Sequence, residues 1–398
     1  MAAGPARQRF APPGVGHRRP PRDSAAPGPP QHARTRIRTA PLPPITDNRT
    51  MHVLIPYASS AAEAPQALWP TLALPNLART LDRMAFQPGT DRTAPDERSL
   101  STPAERHLAT LLGLPATDGH IPWAAWQRLR EGLPAAPDQP WARLTLCHWQ
   151  VTTQQVRLLP PQDLAVTPGE SEELRATLGD FFRDDGLALE ATGRPGEWLA
   201  TGELLRALPC ASLDRLLEPG VDAALLGNSP DPAARTLRRL QNETQMLLYT
   251  HPINDRRAEQ RRPPINAFVL TGAGAWPAQA AQAPTPGAPA LPLHHWNGQD
   301  ACPVALDTPG VLQIDSLREH ALHEDWHGWA QAWQQLDALL ERPEWQAASR
   351  RSDFTLTLGG SARSQTWQGQ AGSGWQSLLQ KFKARRGYSA SLAEVRAL

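Results

Sequence analysis

Between Asp231 and Gly274 the chain reads DPAARTLRRLQNETQMLLYTHPINDRRAEQRRPPINAFVLTGAG, and this order of apolar, basic, proline and glycine residues leaves few ways to fold. A helix is predicted first. Pro232 suits a first helical position behind a Ser229/Asp231 cap, and Leu237, Leu240, Met246, Leu247 and Leu248 fall mainly on one face. His251-Pro252 stops it. Asn254 and Asp255 can cap a second, polar turn carrying Arg256, Arg257, Arg261 and Arg262, which Pro263-Pro264 ends. Ile265 to Leu270 is an apolar run of strand length. Thr271-Gly-Ala-Gly follows as a loop at its carboxyl end, where open α/β sheets place ligands. These residues describe an anion pocket of Asn254, Arg256, Arg257, Asn266 and the amides of Gly272 and Gly274. The plainer alternative is a helix cap, a solvated basic face and a glycine turn.

The rest of the chain sets the frame. With 398 residues, 40% of them hydrophobic, it can bury a real core and form two units plus tails. Residues 1 to 50 are Pro, Arg, Ala and Gly with almost no large apolar side chain, and should be disordered. They hold nine arginines against two aspartates. On a chain of net charge +1 this leaves the remainder mildly acidic, which argues against a nucleic-acid groove. Met51 opens the first hydrophobic strand, MHVLIPYASS, and is the expected biological start. No apolar run is long enough to span a bilayer. Three scattered cysteines, Cys147, Cys210 and Cys302, suit a reducing compartment, and the expected location is cytoplasmic. Lysine occurs only at Lys381 and Lys383, leaving almost no candidate for a P-loop or Schiff base.

Helices are expected from Leu74, over Ala104 to Leu112 and over Trp123 to Arg130. Between 141 and 218 the character changes. Leu144 to Val151 and Gln155 to Leu159 read as paired strands, Glu170 to Phe182 as an amphipathic helix, and Gly186 to Ala191 with Glu197 to Thr201 as a hairpin. This predicts a small antiparallel α+β unit inserted between 51–140 and 219–398. Further on, Leu322, Trp326, Trp329, Trp333, Leu336 and Leu340 mark one face of a long helix from Ser316 to Leu340. His323, Glu324 and His327 within it form a literal HExxH, the spacing that puts two histidines on zinc and a glutamate beside metal-bound water. Its alternative is a solvated helix surface. Phe354 to Gly360 reads as a strand and turn, followed by a short helix and a basic tail.

Part of the chain resembles the archaeal-type cofactor-independent phosphoglycerate mutases. Their H-P-x-N, arginine, P-P-x-N and R-G-A-G pattern is matched by His251-Pro252-Ile253-Asn254, Arg256/Arg257, Pro263-Pro264-Ile265-Asn266 and Thr271-Gly272-Ala273-Gly274, and Leu74-Pro-Asn-Leu resembles their P-N-L-x-x-L. The resemblance implies an alkaline-phosphatase-like α/β domain and adds His251 and Thr271 to the ligand-binding set. Those mutases also use Asp-Gly after the first strand, a Ser nucleophile, and Asp-His and His ligands for two metals. Here Pro56-Tyr57 follows the first strand, there is no Asp-His, and Thr271 replaces an arginine. Two-metal phosphoryl transfer needs those groups, so the fold is expected to be a degenerate version.

Most of residues 51 to 375 is also similar to the RpfE-type regulatory, phosphoglycerate-mutase-like family, through Met51-His-Val-Leu-Ile-Pro-Tyr-Ala-Ser, Cys147-His-Trp-Gln-Val, Ala211-Ser-Leu-Asp-Arg and Asp325-Trp-His-Gly-Trp. The resulting expectation is a regulatory pseudoenzyme without cofactor or metal that binds a small anionic metabolite, phosphorylated or carboxylate. It involves neither nucleic acid nor membrane and leaves room for a protein partner. Its rivals are an active mutase-type phosphoryl-transfer enzyme and a zinc hydrolase.

Overall fold

The computed structural model describes residues 49–87, 99–132, 138–151, 156–218, 232–275, 291–370 and 392–398. In chain order they form β1 (Met51–Ile55), α1 (Glu63–Leu68), α2 (Pro75–Leu81), β2 (Ala85–Phe86), α3 (Pro103–Leu111) and α4 (Trp123–Arg130). There follow β3 (Pro140–Val151), β4 (Val156–Leu159), α5 (Pro161–Leu164), α6 (Pro168–Arg183), β5 (Ala188–Ala191), β6 (Glu197–Thr201) and α7 (Leu213–Leu217). Next come α8 (Pro232–Tyr249), α9 (Pro252–Glu259), β7 (Ala267–Ala275), β8 (Leu293–Trp296) and β9 (Gly310–Ile314). The last are α10 (Arg318–Leu322), α11 (Trp326–Glu341), α12 (Pro343–Ala348), β10 (Phe354–Gly359) and β11 (Ser364–Gln368). Among the described residues no helix is long and apolar enough to cross a membrane. The leader before Arg49, the Ser229/Asp231 cap and most of the Ala/Pro-rich segment after Gly274 lie outside the described residues.

The main sheet has the order β2-β11-β10-β1-β9-β8. β10, β1, β9 and β8 are parallel, and β11 and β2 extend the sheet antiparallel at one edge. Alternate residues of a strand face opposite sides, and β1 shows the result. Met51, Val53 and Ile55 join a core with Leu77, Trp329, Trp333 and Leu336, whereas Leu54 packs on the other face with Ala104, Leu108 and Val311. Both faces are therefore covered, as parallel strands require. Asp337 on α11 accepts hydrogen bonds from the Asn76 and Leu77 amides at 2.9 and 2.8 Å and from Asn76 Nδ2 at 3.0 Å, closing the amino end of α2. The Pro-Asn-Leu motif is thus a docking point for that helix.

The second sheet is antiparallel, in the order β4-β3-β6-β5, with β7 paired to β3. Its outer side is filled by Leu174, Leu178 and Phe182 of α6 and by Leu237, Leu240 and Leu248 of α8. α8, α9 and β7, which follow residue 218, pack with this sheet. Thr271 to Gly274 differ from expectation. They are not a loop beyond a strand end but lie inside β7, where two steps of β3 (Trp141 to Arg143) face three steps of β7 (Gly274 to Thr271). Gly272, at φ +61°, makes this β-bulge, and a Cβ there would stand 2.8 Å from Cβ of Trp123 on α4.

The long helix expected from Ser316 is two helices. α10 ends at Leu322, Glu324 takes φ 56°, and Asp325 caps α11 by accepting from the Gly328 amide at 3.0 Å. The break falls inside HExxH. His323 Nδ1 lies 2.8 Å from the Glu319 carbonyl, Glu324 pairs with Arg157 at 3.2 Å, and His327 Nε2 lies 2.9 Å from Gln331 Nε2. The helical register needed to place His323 and His327 on one metal is absent. At the far end β10 is followed by β11, which pairs with it antiparallel, and residues 371–391, which hold most of the remaining tail, lie outside the described residues.

Candidate functional site

A cavity of about 770 Å³ opens between the two sheets. One wall comes from the carboxyl ends of the parallel strands, with His295 of β8, Gln313 of β9, and Asp315 and Arg318 just beyond. The opposite wall is Arg143 of β3 with Thr271 and Gly272 of β7, and Thr271 is the register partner of Arg143. Trp123, Trp126 and Arg130 of α4 form a side, Arg194 reaches in from the β5–β6 turn, and Glu105 and Asp214 complete the floor. The bulge explains the position of Thr271 and Gly272, because the extra residue re-aims β7 where it meets α4.

Charges are divided across the cavity. Among the described residues Arg143 and Arg194 pair with one carboxylate, Glu197, at 3.4 and 3.7 Å, two positive charges on one negative. On the other side Arg318 Nε donates to Asp214 Oδ2 at 2.8 Å and its Nη2 to the second Asp214 oxygen. Burial works against the Arg318 charge, but Asp214 more than offsets it and holds the guanidinium protonated. His295 Nδ1 lies 3.0 Å from Asp315, which also accepts from Gln313 Nε2 at 2.7 Å.

Behind Asp214 sits Tyr57, two residues past the end of β1 and at φ 59°, a rare conformation for a residue with a Cβ. Its hydroxyl donates toward Asp214 Oδ2 at 3.2 Å and Glu218 Oε1 at 3.4 Å, and its carbonyl accepts from Trp329 Nε1 at 2.9 Å. Burial, then Asp214 and Glu218, push the phenol well above its ordinary value. Burial also raises Glu105 and Glu218, each to about 7, with Asp214 adding to both. Asp214 belongs to the Ala211-Ser-Leu-Asp-Arg stretch and Tyr57 to the first-strand motif. Both stretches stand out in the sequence, but nothing in their spacing announced that they meet.

The sequence-predicted residues fall into two groups at opposite ends of β7. Thr271 and Gly272 line the cavity, and Gly274 packs 3.1 Å, at its would-be Cβ, from Pro122. The others have internal partners, and Asn266 lies roughly 15 Å from Thr271 by strand rise. Asn254 Nδ2 donates to the Leu248 and Ile265 carbonyls and its Oδ1 accepts from the Ile265 amide, all at 2.8 Å. Asn266 brackets the Trp149 backbone, accepting from its amide at 2.8 Å and donating to its carbonyl at 3.0 Å. His251, not Asn254 or Asp255, is the N-cap of α9, accepting from the Ile253 amide at 3.3 Å. Arg256 pairs with Glu173 at 2.6 Å. Arg257, fully buried, pairs with Glu170 at 2.9 Å and donates to the carbonyls of Pro263 and Leu164. The structure therefore does not gather these groups with the bulge amides. The two Asn motifs fasten α9 and β7 into the antiparallel layer.

Among the described residues no three His, Cys, Asp or Glu side chains gather in a way that could hold a metal ion.

No family model and no curated protein matches the sequence. Two solved structures are distantly similar to it. The PH0037 protein from Pyrococcus horikoshii is 12% identical and aligns over 82% of this chain and 88% of its own, with a TM-score of 0.40. A cofactor-independent phosphoglycerate mutase from Thermoplasma acidophilum is 12% identical over 81% of this chain and 90% of its own, with a TM-score of 0.30.

Proposed function

We infer that the protein binds a small phosphorylated or carboxylate metabolite in the cavity between its sheets, and that its role is regulatory or ligand-sensing. The observation that carries this is the corner where Arg143 and Arg194 have one carboxylate between them beside Thr271 and Gly272. Two guanidinium groups with one counter-charge attract an oxyanion and can grip it through paired N–H donors. The experiment is thermal unfolding of the full chain against a panel of phosphorylated metabolites and carboxylic acids. A specific ligand at 100 times its Kd stabilises by about 2.7 kcal/mol. That gain should vanish in Arg143→Ala and persist in Arg256→Ala. A flat response across the panel would sink the proposal.

Active mutase-type phosphoryl transfer is favoured by one feature, the strained Tyr57 held between two carboxylates just past the end of β1. Backbone strain of this sort concentrates at working sites. Two equivalents of divalent metal in the purified protein, together with phosphoglycerate isomerisation, would establish it in place of the regulatory role.

A further inference from the structure

We propose that the ligand of this cavity carries an aromatic or heterocyclic ring beside its anionic group, and so has the size and chemistry of a nucleoside monophosphate rather than of a three-carbon phosphoacid. This rests on the anion-binding role given above and specifies its ligand.

Volume is the first reason. At about 770 Å³ the cavity lies within the ~300–1,000 Å³ range that encloses drug-sized molecules, far more than a three-carbon acid can fill. The second is the α4 wall. Trp123 and Trp126 both line the cavity, with ring centroids 5.7 Å apart and planes at 79°, and neither indole is fully buried. Arg130 lies 4.9 Å above the Trp126 ring, adding a cation to the aromatic surface. Trp141, Trp198, Trp329 and Trp333, by contrast, are consumed by the core. Two indoles left on a cavity wall, next to a cationic corner, form a platform on which a planar ring can stack while its phosphate reaches Arg143 and Arg194.

The test is calorimetric titration of the full chain with inorganic phosphate, 3-phosphoglycerate, phenyl phosphate and adenosine monophosphate, repeated on Trp126→Ala and Trp126→Phe. The ring-bearing phosphates should bind at least about tenfold tighter than 3-phosphoglycerate. Trp126→Ala should erase that preference while leaving the affinity for 3-phosphoglycerate within about threefold, and Trp126→Phe should restore most of it. Thermal unfolding of each variant shows that it is folded. If 3-phosphoglycerate binds as tightly as the ring-bearing compounds, or the preference survives in Trp126→Ala, the ring is not recognised and this inference falls while the anion site stands. If none of the four probes binds, both fall.

Discussion

Arg257 of α9 and Glu170 of α6 form a buried ion pair in which the guanidinium, with no exposed surface, places Nη1 at 2.9 and 3.0 Å from the two carboxylate oxygens. Arg262 shares the same carboxylate at 3.0 Å. Arg257→Ala leaves Glu170 only Arg262 and strips the buried Pro263 and Leu164 carbonyls of their donor, so it should cost at least about 2 kcal/mol in chemical denaturation. Arg256→Ala, which loses only an exposed contact with Glu173, should cost no more than about 1 kcal/mol. Equal effects from the two variants would contradict the division between a structural and a surface arginine.

Glu105 and Glu218 give the protein a pH dependence of definite sign. Burial raises both carboxyls from an ordinary 4.5 to about 7, with Asp214 contributing to each. A group whose folded value lies above its unfolded value stabilises the fold fully below the unfolded value, and that contribution is lost as pH rises through the folded one. Tm should therefore decline from about pH 4.5 to about pH 7 on account of these groups. Glu105→Gln keeps the capping box with Thr102, since glutamine can also accept from the Thr102 amide. It should flatten part of the decline, and a Tm profile unchanged in this variant would refute the assignment.

The same carboxyl bears on the ligand. Glu105 lines the cavity, and as it ionises near pH 7 it adds a negative charge to a wall that must accept an anion. Affinity for the phosphorylated ligand should weaken as pH rises through 7, beyond any change from the ligand's own titration. In Glu105→Gln this extra weakening should disappear when binding is measured at pH 6 and pH 8.

Gly272→Ala should damage stability and binding together. Its Cβ would meet Trp123 Cβ at 2.8 Å and the Ala124 amide nitrogen at 3.3 Å, from a φ of +61° that alanine adopts at a cost. A loss of about 1–3 kcal/mol is expected in denaturant titration, with weaker ligand binding because the bulge shapes the cavity wall. Gly113→Ala provides the comparison. It also has positive φ but no neighbour within 4 Å, so it should lose stability without affecting binding.

How far the sequence could be read depended on the range of the interactions involved. α4 was expected at its observed limits, and β5 with β6 as a hairpin, because periodicity and turn residues are local signals. The parallel sheet begun by Met51 was likewise anticipated as part of an α/β fold. The home of β7 was not, because Ala267 to Leu270 is apolar on both sides and such a run does not say which sheet will pair with it. Its partner β3 lies more than a hundred residues earlier. Glycines inside an apolar run are a recognised sign of a bulge, so Gly272 was readable as one. The break at Glu324 had a weaker local sign in Asp325, which suits an N-cap. The site divided similarly. Thr271 and Gly272 were singled out from sequence, but Arg143, Arg194, Arg318 and Asp214 are brought to them only by the tertiary fold.

One consequence concerns Arg318. It extends from the parallel layer just after β9, while Asp214 belongs to α7, whose Leu216 and Leu217 pack against Leu158 and Cys147 of the antiparallel layer. The guanidinium that clasps Asp214 also borders the cavity. An anion that drew it away would have to loosen the seam joining the halves, so cargo and clasp compete for one hand.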